Sequence, residues 1–240
     1  MADYSREIAR DALDLGAIKL NPSNPFQWAS GFRMPIYNDN RMFLFNSDYR
    51  NFIANAFVGA VEPTIPNCEI VIAGTSTAGI PWASLVADRL GRPMIYIRDK
   101  PKDHGLKNQI EGIGAETDLR GRKVVVIEDL ISTGGSSAAA VQAVRDANGE
   151  CNHCFSLFNY GFDEAREMFQ GHMAFDKEGT KVLNPACDVK SLLTYDVLLE
   201  VAQETGYLSS DQVKVLAEWR ADPFGWGEKR GFPRIIKEKK

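Results

Sequence analysis

Histidine is the scarcest chemistry-bearing residue in this 240-residue chain, with three copies (His104, His153, His172), and cysteine follows with four (Cys68, Cys151, Cys154, Cys187). That supply is thin for a metal centre. Cys151-Asn-His-Cys154 has the spacing of half a zinc site, but no second Cys or His pair stands at a matching distance, so the segment reads as a strand with two ordinary thiols. An excess of positive charge is also missing: 28 Lys and Arg against 32 Asp and Glu leave a net charge of −4. A sequence-independent nucleic-acid binder needs a broad cationic face to displace counterions from phosphates, so that class is disfavoured and any anionic ligand must be held by a local site. No stretch approaches the ~18 uninterrupted apolar residues of a membrane span, and Met1-Ala2-Asp3-Tyr4 lacks the basic and apolar segments of a secretory signal. A cytoplasmic protein with reduced cysteines and no membrane partner is expected. Internal repeats, low-complexity tracts and long Gly/Ser linkers are absent too.

What is present is an apolar share of 44% with 25% charged residues, enough for a large core without disulfide or metal staples. Tyr4 to Leu15 has apolar residues at helical spacing, with Gly16 as the stop signal. An irregular aromatic section from Asn24 to Phe45 follows, and Ser47 is placed to cap a helix running to about Val61. From Glu69 the pattern is regular. Ile70–Ala73, Met94–Arg98 and Lys123–Ile127 read as strands, Gly79–Leu90 and Gly135–Asn148 as helices, and Cys154–Asn159 as a further apolar run. Short apolar strands alternating with amphipathic helices predict an α/β fold with a mainly parallel sheet covered by helices on both faces. In such sheets ligands bind at the carboxyl ends of the strands.

One strand end stands out. Lys123-Val-Val-Val-Ile-Glu128-Asp129-Leu130-Ile131-Ser132-Thr133-Gly134-Gly135-Ser136 carries a buried strand into two acids, a short loop and a helix start. Glycines let the backbone approach a ligand, and the unpaired amides of the first helical turn, with Ser and Thr hydroxyls, make an anion cradle. No Lys follows the glycines and the dinucleotide spacing G-x-G-x-x-G is absent, so the cradle suits a monophosphate rather than ATP or NAD.

This apolar strand, two acids, two apolar residues and Ser-Thr-Gly-Gly run resembles the signature of the type I phosphoribosyltransferases. The resemblance implies that Glu128 and Asp129 hold the ribose 2- and 3-hydroxyls of phosphoribosyl pyrophosphate (PRPP). Leu130, Ile131, Ser132, Thr133, Gly134, Gly135 and Ser136 would hold its 5-phosphate. The chemistry is consistent, since carboxylates accept from hydroxyls and favour the positive charge that builds on a ribose as its anomeric bond breaks.

Three further segments are similar to the orotate branch of that family. Phe26-Gln-Trp28-Ala29-Ser30-Gly31-Phe32-Arg33-Met34-Pro35-Ile36-Tyr37 looks like its N-terminal element, which would form a small hood and place Ser30, Gly31 and Tyr37, with Ser132, on orotate. Thr75-Ser76-Thr77-Ala78, within Ala73 to Pro81, looks like the pyrophosphate loop. Tyr96 to Gly105, with Lys102-Asp103-His104-Gly105, is similar to the mobile catalytic loop. Arg98, Lys102 and His104 would then bind PRPP, and Lys102, His104 and Asp129 would be catalytic. The resemblance further implies a homodimer with shared active sites. Mg2+ is inferred as cofactor from the substrate, which would hold it with no direct protein ligand. Read without the family, Arg98, Lys100, Lys102 and His104 still gather cationic donors on a polar loop bounded by Gly105 and Gly112, suited to an anionic leaving group.

Orotate enzymes often carry Lys where this chain has Ala29, Ala78 and Asp99, and an Arg where it has the segment after Asn159. Arg33 and Arg41 are the nearest candidates to balance an orotate carboxylate. Two other readings stay open, a phosphoribosyltransferase for another base and a PRPP-sensing regulator of the same fold.

The expected organisation is an N-terminal helix and hood over 1–65, a core over 66–162, and a helical C-terminal extension with a basic tail over 163–240, in one structural domain. Helices are predicted for Asp163–Gln170, Lys190–Thr205 and Ser209–Arg220. Trp219 and Trp226 are expected to pack into a core. The last twelve residues hold six basic side chains against one acid and read as a solvated tail.

Overall fold

The computed structural model describes residues 4–66, 69–99, 109–114, 118–175 and 181–235. Its first elements are α1 (Tyr4–Leu15), β1 (Ile18–Leu20), β2 (Phe26–Gln27), β3 (Arg33–Met34), β4 (Ile36–Asn38), a 3-10 turn (Asn40–Leu44) and α2 (Ser47–Val61). Then come β5 (Ile70–Thr75), α3 (Gly79–Leu90), β6 (Met94–Ile97), β7 (Ile110–Glu111), β8 (Lys123–Ile131), α4 (Gly135–Asp146) and β9 (Glu150–Asn159). The chain continues through α5 (Asp163–Met168), β10 (His172–Phe175), β11 (Lys181–Asn184), β12 (Asp188–Thr194), α6 (Tyr195–Glu204), α7 (Ser210–Ala221) and α8 (Trp226–Lys229). Contacts divide it into two compact units, 1–50 with 193–240, and 51–192.

The 51–192 unit is built on a six-stranded sheet in the order β12-β9-β8-β5-β6-β7. β5 pairs in parallel with both β6 and β8, β8 pairs in parallel with β9, and β6 pairs antiparallel with β7. The mainly parallel α/β sheet expected from the sequence is therefore present. All six residues of β5 are buried, as are Val124–Asp129 of β8, which explains why these strands read as continuous apolar runs. α3 occupies the residues read for it, Gly79 to Leu90, and ends at Gly91 with φ +58°. Such a left-handed residue closes a helix at least cost when it lacks a Cβ.

Several boundaries differ from the sequence reading; β9, for one, begins at Glu150 and not at Cys154. β8 runs on to Ile131 instead of stopping at Ile127, because its pairing with β9 continues to Ile131 opposite Asn159 and its two buried acids find donors, as described below. α2 begins at Ser47, but the side chain that holds its first turn is Asn46, whose Oδ1 accepts from the Asp48 amide at 2.7 Å. Lys190 to Thr194 is strand, not helix: it belongs to β12, which lies beside β9 in the sheet, and Ser191 meets Ser156 of β9 hydroxyl to hydroxyl at 2.7 Å. The helix waits until Thr194, whose side chain accepts from the Val197 amide as N-cap. Finally, the extension after Gly161, read as helical, also holds an antiparallel hairpin, β10 with β11, between the first two helices read there.

In the other unit α1 packs on α6, and Arg6 pairs with Glu200 and Glu204. Ile8, Ile18, Met34, Ile36, Phe43, Tyr195, Leu198, Leu216 and Trp219 are buried. The indole N–H of Trp219 reaches Met34 Sδ at 3.1 Å, and the Tyr195 hydroxyl donates to the Leu216 carbonyl at 3.0 Å. Trp219 and Tyr195 thus each bury a ring and satisfy its polar atom. Trp219 and Trp226 are core residues, as expected. Among the described residues no helix is long and apolar enough to cross a membrane.

Candidate active site

The carboxyl ends of β5 and β8 lie side by side in the sheet. Gly74 is registered against Ile127, so Thr75 at the end of β5 faces the start of the acid pair. Both acids are buried at 8% exposure. Burying a carboxylate costs heavily unless donors replace its water. Glu128 is so supplied: Oε1 accepts from the Thr75 hydroxyl at 2.7 Å and from the Asp129 amide at 2.8 Å, and Oε2 accepts from the Ser137 hydroxyl at 2.8 Å. Asp129 Oδ1 accepts from the indole N–H of Trp82 at 3.2 Å. Trp82 is itself packed against Phe57, ring centroids 6.5 Å apart.

Two loops leave these strand ends. The first, Thr75-Ser76-Thr77-Ala78, turns into α3. Its Ser76 amide donates to the Ile97 carbonyl at 2.8 Å, and the Ser76–Thr77 peptide is cis. Gly79 opens the helix with no room for a side chain: a Cβ there would stand 2.3 Å from Thr75 Oγ1 and 2.5 Å from the Ile127 carbonyl oxygen. The second loop, Ser132-Thr133-Gly134-Gly135-Ser136, turns into α4. Gly134 is its N-cap, with φ +81° and no side-chain cap, so the first-turn amides are not satisfied by a capping side chain. Helix N-termini of this kind, aided by the backbone dipoles, attract anions. Thr75 to Ala78 and Glu128 to Ser136 are thus brought together at the carboxyl ends of the two central strands of the sheet, as the motifs predict. Leu130 and Ile131 are still strand residues, opposite Phe158 and Asn159 of β9, and the Ile131 side chain belongs to the core.

Arg98 follows β6 and pairs with Glu111 of β7, Nη1 to Oε1 at 3.4 Å. Its amide and carbonyl close a double contact with Gln109, at 2.9 and 2.8 Å, across the base of the loop between these strands. Lys102 and His104, expected in that loop, lie outside the described residues, as do Cys68 and the last basic residues Lys237, Lys239 and Lys240.

The expected base-side residues fall in the other unit. Ser30 and Gly31 occupy one tight turn, in which the Gly31 amide donates to the Trp28 carbonyl and the Trp28 amide to the Phe32 carbonyl, both at 2.9 Å. Tyr37 lies on β4, half-exposed, its ring 6.0 Å from that of Phe26. Arg41 does not offer the unspent charge expected of it. Asp39 takes its guanidinium through two contacts, at 2.6 and 2.9 Å, which also hold the Asp39 carboxyl below its ordinary range. Arg33 donates to the Pro25 carbonyl at 3.4 Å.

Cys151, Cys154 and Cys187 are free, buried thiols. A hydrogen bond to Cys187, with burial, pushes the Cys151 thiol up, and the same contact lowers Cys187. Burial pushes Cys154 up. Cys187 lines a cavity of about 530 Å³ together with Phe162, Phe169 and Val189.

Trp82 was not singled out from the sequence, and Ser137, which follows Ser136 in the run read as an anion cradle, was not expected to bond Glu128. The one available signal is that a buried indole needs an acceptor and a buried carboxylate needs donors. Which partners meet depends on contacts between elements.

Comparison with known proteins agrees with this geometry. Residues 52–176 match the phosphoribosyl transferase domain model. An orotate phosphoribosyltransferase of Cytophaga hutchinsonii is 41% identical over 93% of this chain and 99% of its own length, and one of Enterococcus faecalis is 42% identical over 95% and 100%. Among solved structures, orotate phosphoribosyltransferase from Aeropyrum pernix superposes with a TM-score of 0.62 at 23% identity, covering 84% of this chain and 99% of that one, a likeness of fold. The chain belongs to the orotate phosphoribosyltransferase family.

Proposed function

We propose that the protein transfers the phosphoribosyl group of PRPP to N1 of orotate, releasing pyrophosphate and orotidine 5-phosphate for pyrimidine biosynthesis. The observation that carries this reading is the pairing of two anion cradles, Thr75–Ala78 and Ser132–Ser136, around the acids Glu128 and Asp129 on neighbouring parallel strands. PRPP has the matching arrangement of a ribose diol between two phosphate ends. The 5-phosphate would take the amides and hydroxyls at the start of α4, and the pyrophosphate those before α3. Asp129 would accept from a ribose hydroxyl and face the positive charge that grows as the anomeric bond lengthens.

Lys102 and His104 are assigned to the leaving pyrophosphate through the Lys-Asp-His-Gly motif, with Arg98 beside them. Their charges would gain most as the bond breaks, which lowers the barrier and not merely the ground state. Ser30, Gly31, Tyr37 and Ser132 are assigned to orotate on the same motif argument. Mg2+ prefers phosphate oxygens and water to a protein cage, and the donors here are hydroxyls and amides, with Glu128 and Asp129 held by Thr75, Ser137 and Trp82. The ion would therefore come with PRPP and neutralise the leaving group. A cytoplasmic homodimer with shared sites completes the proposal.

Purified protein assayed with PRPP, Mg2+ and each of orotate, uracil, hypoxanthine, guanine and xanthine tests it. Orotidine 5-phosphate formation from orotate is expected, with at most a trace from the others. Turnover of a different base without orotate turnover would overturn the base assignment, and the lack of an Arg in Asn159-Tyr160-Gly161-Phe162 is the feature that would then explain it.

A further inference from the structure

The final described residues do not run off into solvent. After α8 the chain turns back, with the Phe232 amide donating to the Gly227 carbonyl at 2.8 Å and the Phe232 ring stacked 6.2 Å from Trp226. It then lies on the Ser30–Gly31 turn. The Ile235 amide donates to the Gly31 carbonyl at 3.0 Å, and Arg234 Nε donates to the Ser30 carbonyl at 3.1 Å. The Arg234 guanidinium also covers the Phe32 ring, 4.2 Å from its centroid, and Phe32 in turn packs on Phe224, ring centroids 5.2 Å apart. The fit leaves no slack: a Cβ on Gly31 would stand 2.0 Å from the Ile235 carbonyl oxygen.

Two consecutive carbonyls of the turn, those of Ser30 and Gly31, are thus occupied by two consecutive donors of the C-terminal segment. A two-residue turn anchored by both carbonyls holds its remaining polar groups in one orientation, so less ordering is left to be done when a ligand binds. The basic tail also proves to be engaged where it begins. Lys229 pairs with Asp222, and Arg230 pairs with Glu218 and stacks on Trp226 at 5.4 Å.

We propose that the segment Gly231–Ile235 is a positioning strap for the base-binding turn and that Arg234 is the residue through which it acts, so that the C-terminus sets the affinity for the base. Ser30 and Gly31 as base ligands are part of the functional reading above, and the inference rests on it. Arg234 is a positioning residue: it acts on the base through the Ser30 carbonyl and the Phe32 ring.

The test compares wild type with Arg234→Ala, Arg234→Lys and a chain ending at Arg230, measuring kcat and both KM values beside the thermal midpoint. Arg234→Ala and the shortened chain are expected to raise the KM for orotate about tenfold, the scale of one charge-assisted hydrogen bond, and to leave the KM for PRPP and kcat within about twofold on the same principle that uniform binding moves KM alone. Lys has no Nε–H fork and no planar face, so Arg234→Lys is expected to stay near Arg234→Ala. An unchanged orotate KM in both Arg234→Ala and the shortened chain would overturn the strap. So would full rescue by Lys, or equal rises in both KM values together with a lowered midpoint. If wild type does not use orotate at all, the functional reading is at fault. The same split, read for whichever base it does use, then decides the strap separately.

Discussion

The indole N–H of Trp82 donates to Oδ1 of Asp129 at 3.2 Å, and neither residue is accessible enough for water to take over that contact. The carboxylate assigned to the ribose is therefore oriented by α3, a helix to which no ligand contact is assigned. Trp82→Phe keeps the ring in its pocket beside Phe57 and removes only the donor. A loss of about 1–3 kcal/mol in stability is expected, the usual cost of a buried charged acceptor short of a partner, and turnover should fall about tenfold if that energy also orients the acid. Chemical denaturation and steady-state rates check both. Wild-type values in both would show that the contact is idle.

Ser137 stands at the start of α4 with its hydroxyl on Glu128 Oε2 at 2.8 Å. Ser137→Ala leaves that oxygen one donor short inside the protein, and about 1–3 kcal/mol of destabilisation is expected. The affinity for PRPP should drop as well, because Glu128 joins Thr75 of one loop to the helix that follows the other. Calorimetric titration with PRPP reads the second effect. A normal affinity at full occupancy would mean that the two loops hold their places without this bridge.

Gly79→Ala should be among the most damaging single-methyl changes in the chain. The added carbon would overlap Thr75 Oγ1 and the Ile127 carbonyl, which are backbone or tightly bonded atoms that cannot swing away. Overpacking of this kind costs about 1–3 kcal/mol or more, and relief requires α3 to lift from the sheet. The expected readout is a lower thermal midpoint with weakened pyrophosphate inhibition. Gly91→Ala, where a Cβ would meet nothing within 4 Å, serves as control and should show only the modest cost of its φ of +58°.

Thiol chemistry should sort the three described cysteines. Thiolates react and thiols do not, so burial that raises Cys154, and the hydrogen bond that raises Cys151, both protect them near neutral pH. The bond that raises Cys151 lowers Cys187, which also lines a cavity. Iodoacetamide at pH 8 followed by peptide mass spectrometry is expected to find Cys187 alkylated first among the three. Earlier labelling of Cys154 would mean that this part of the sheet opens readily.

The parts of the site that were legible in the sequence are those whose chemistry is local. The Glu-Asp pair, the Thr-Gly-Gly turn and the start of α3 at Gly79 depend on neighbours within a few residues, and the structure has them where the spacing put them. The contacts that hold the acids were not legible, because Trp82 and Asp129 are 47 positions apart. The same limit explains the misread end of the core sheet. Ser191-Leu-Leu-Thr is short enough to suit either a strand or a helix, and pairing with β9 decides it. The strap was read as a solvated tail because six basic residues near a terminus have that composition, whereas Arg234 and Ile235 are engaged by the Phe32 ring and by the carbonyls of Ser30 and Gly31, about two hundred positions away in sequence.

β5 ends opposite Glu128, while β8 continues three residues further, to Ile131. At about 3.3 Å per residue along a strand and about 4.8 Å between strands, the two cradles are offset by roughly 10 Å lengthwise and one strand sideways. That stagger is a gauge made of main chain. Side-chain exchanges in either loop alter how firmly each end of a molecule is gripped, but the stride between the grips is written in the hydrogen-bond ladder and in the unequal lengths of two neighbouring strands. A compound with a single anionic end reaches one grip only. If the two loops hold PRPP as proposed, a change in the length of molecule that fits would require residues to be inserted or removed at a strand end.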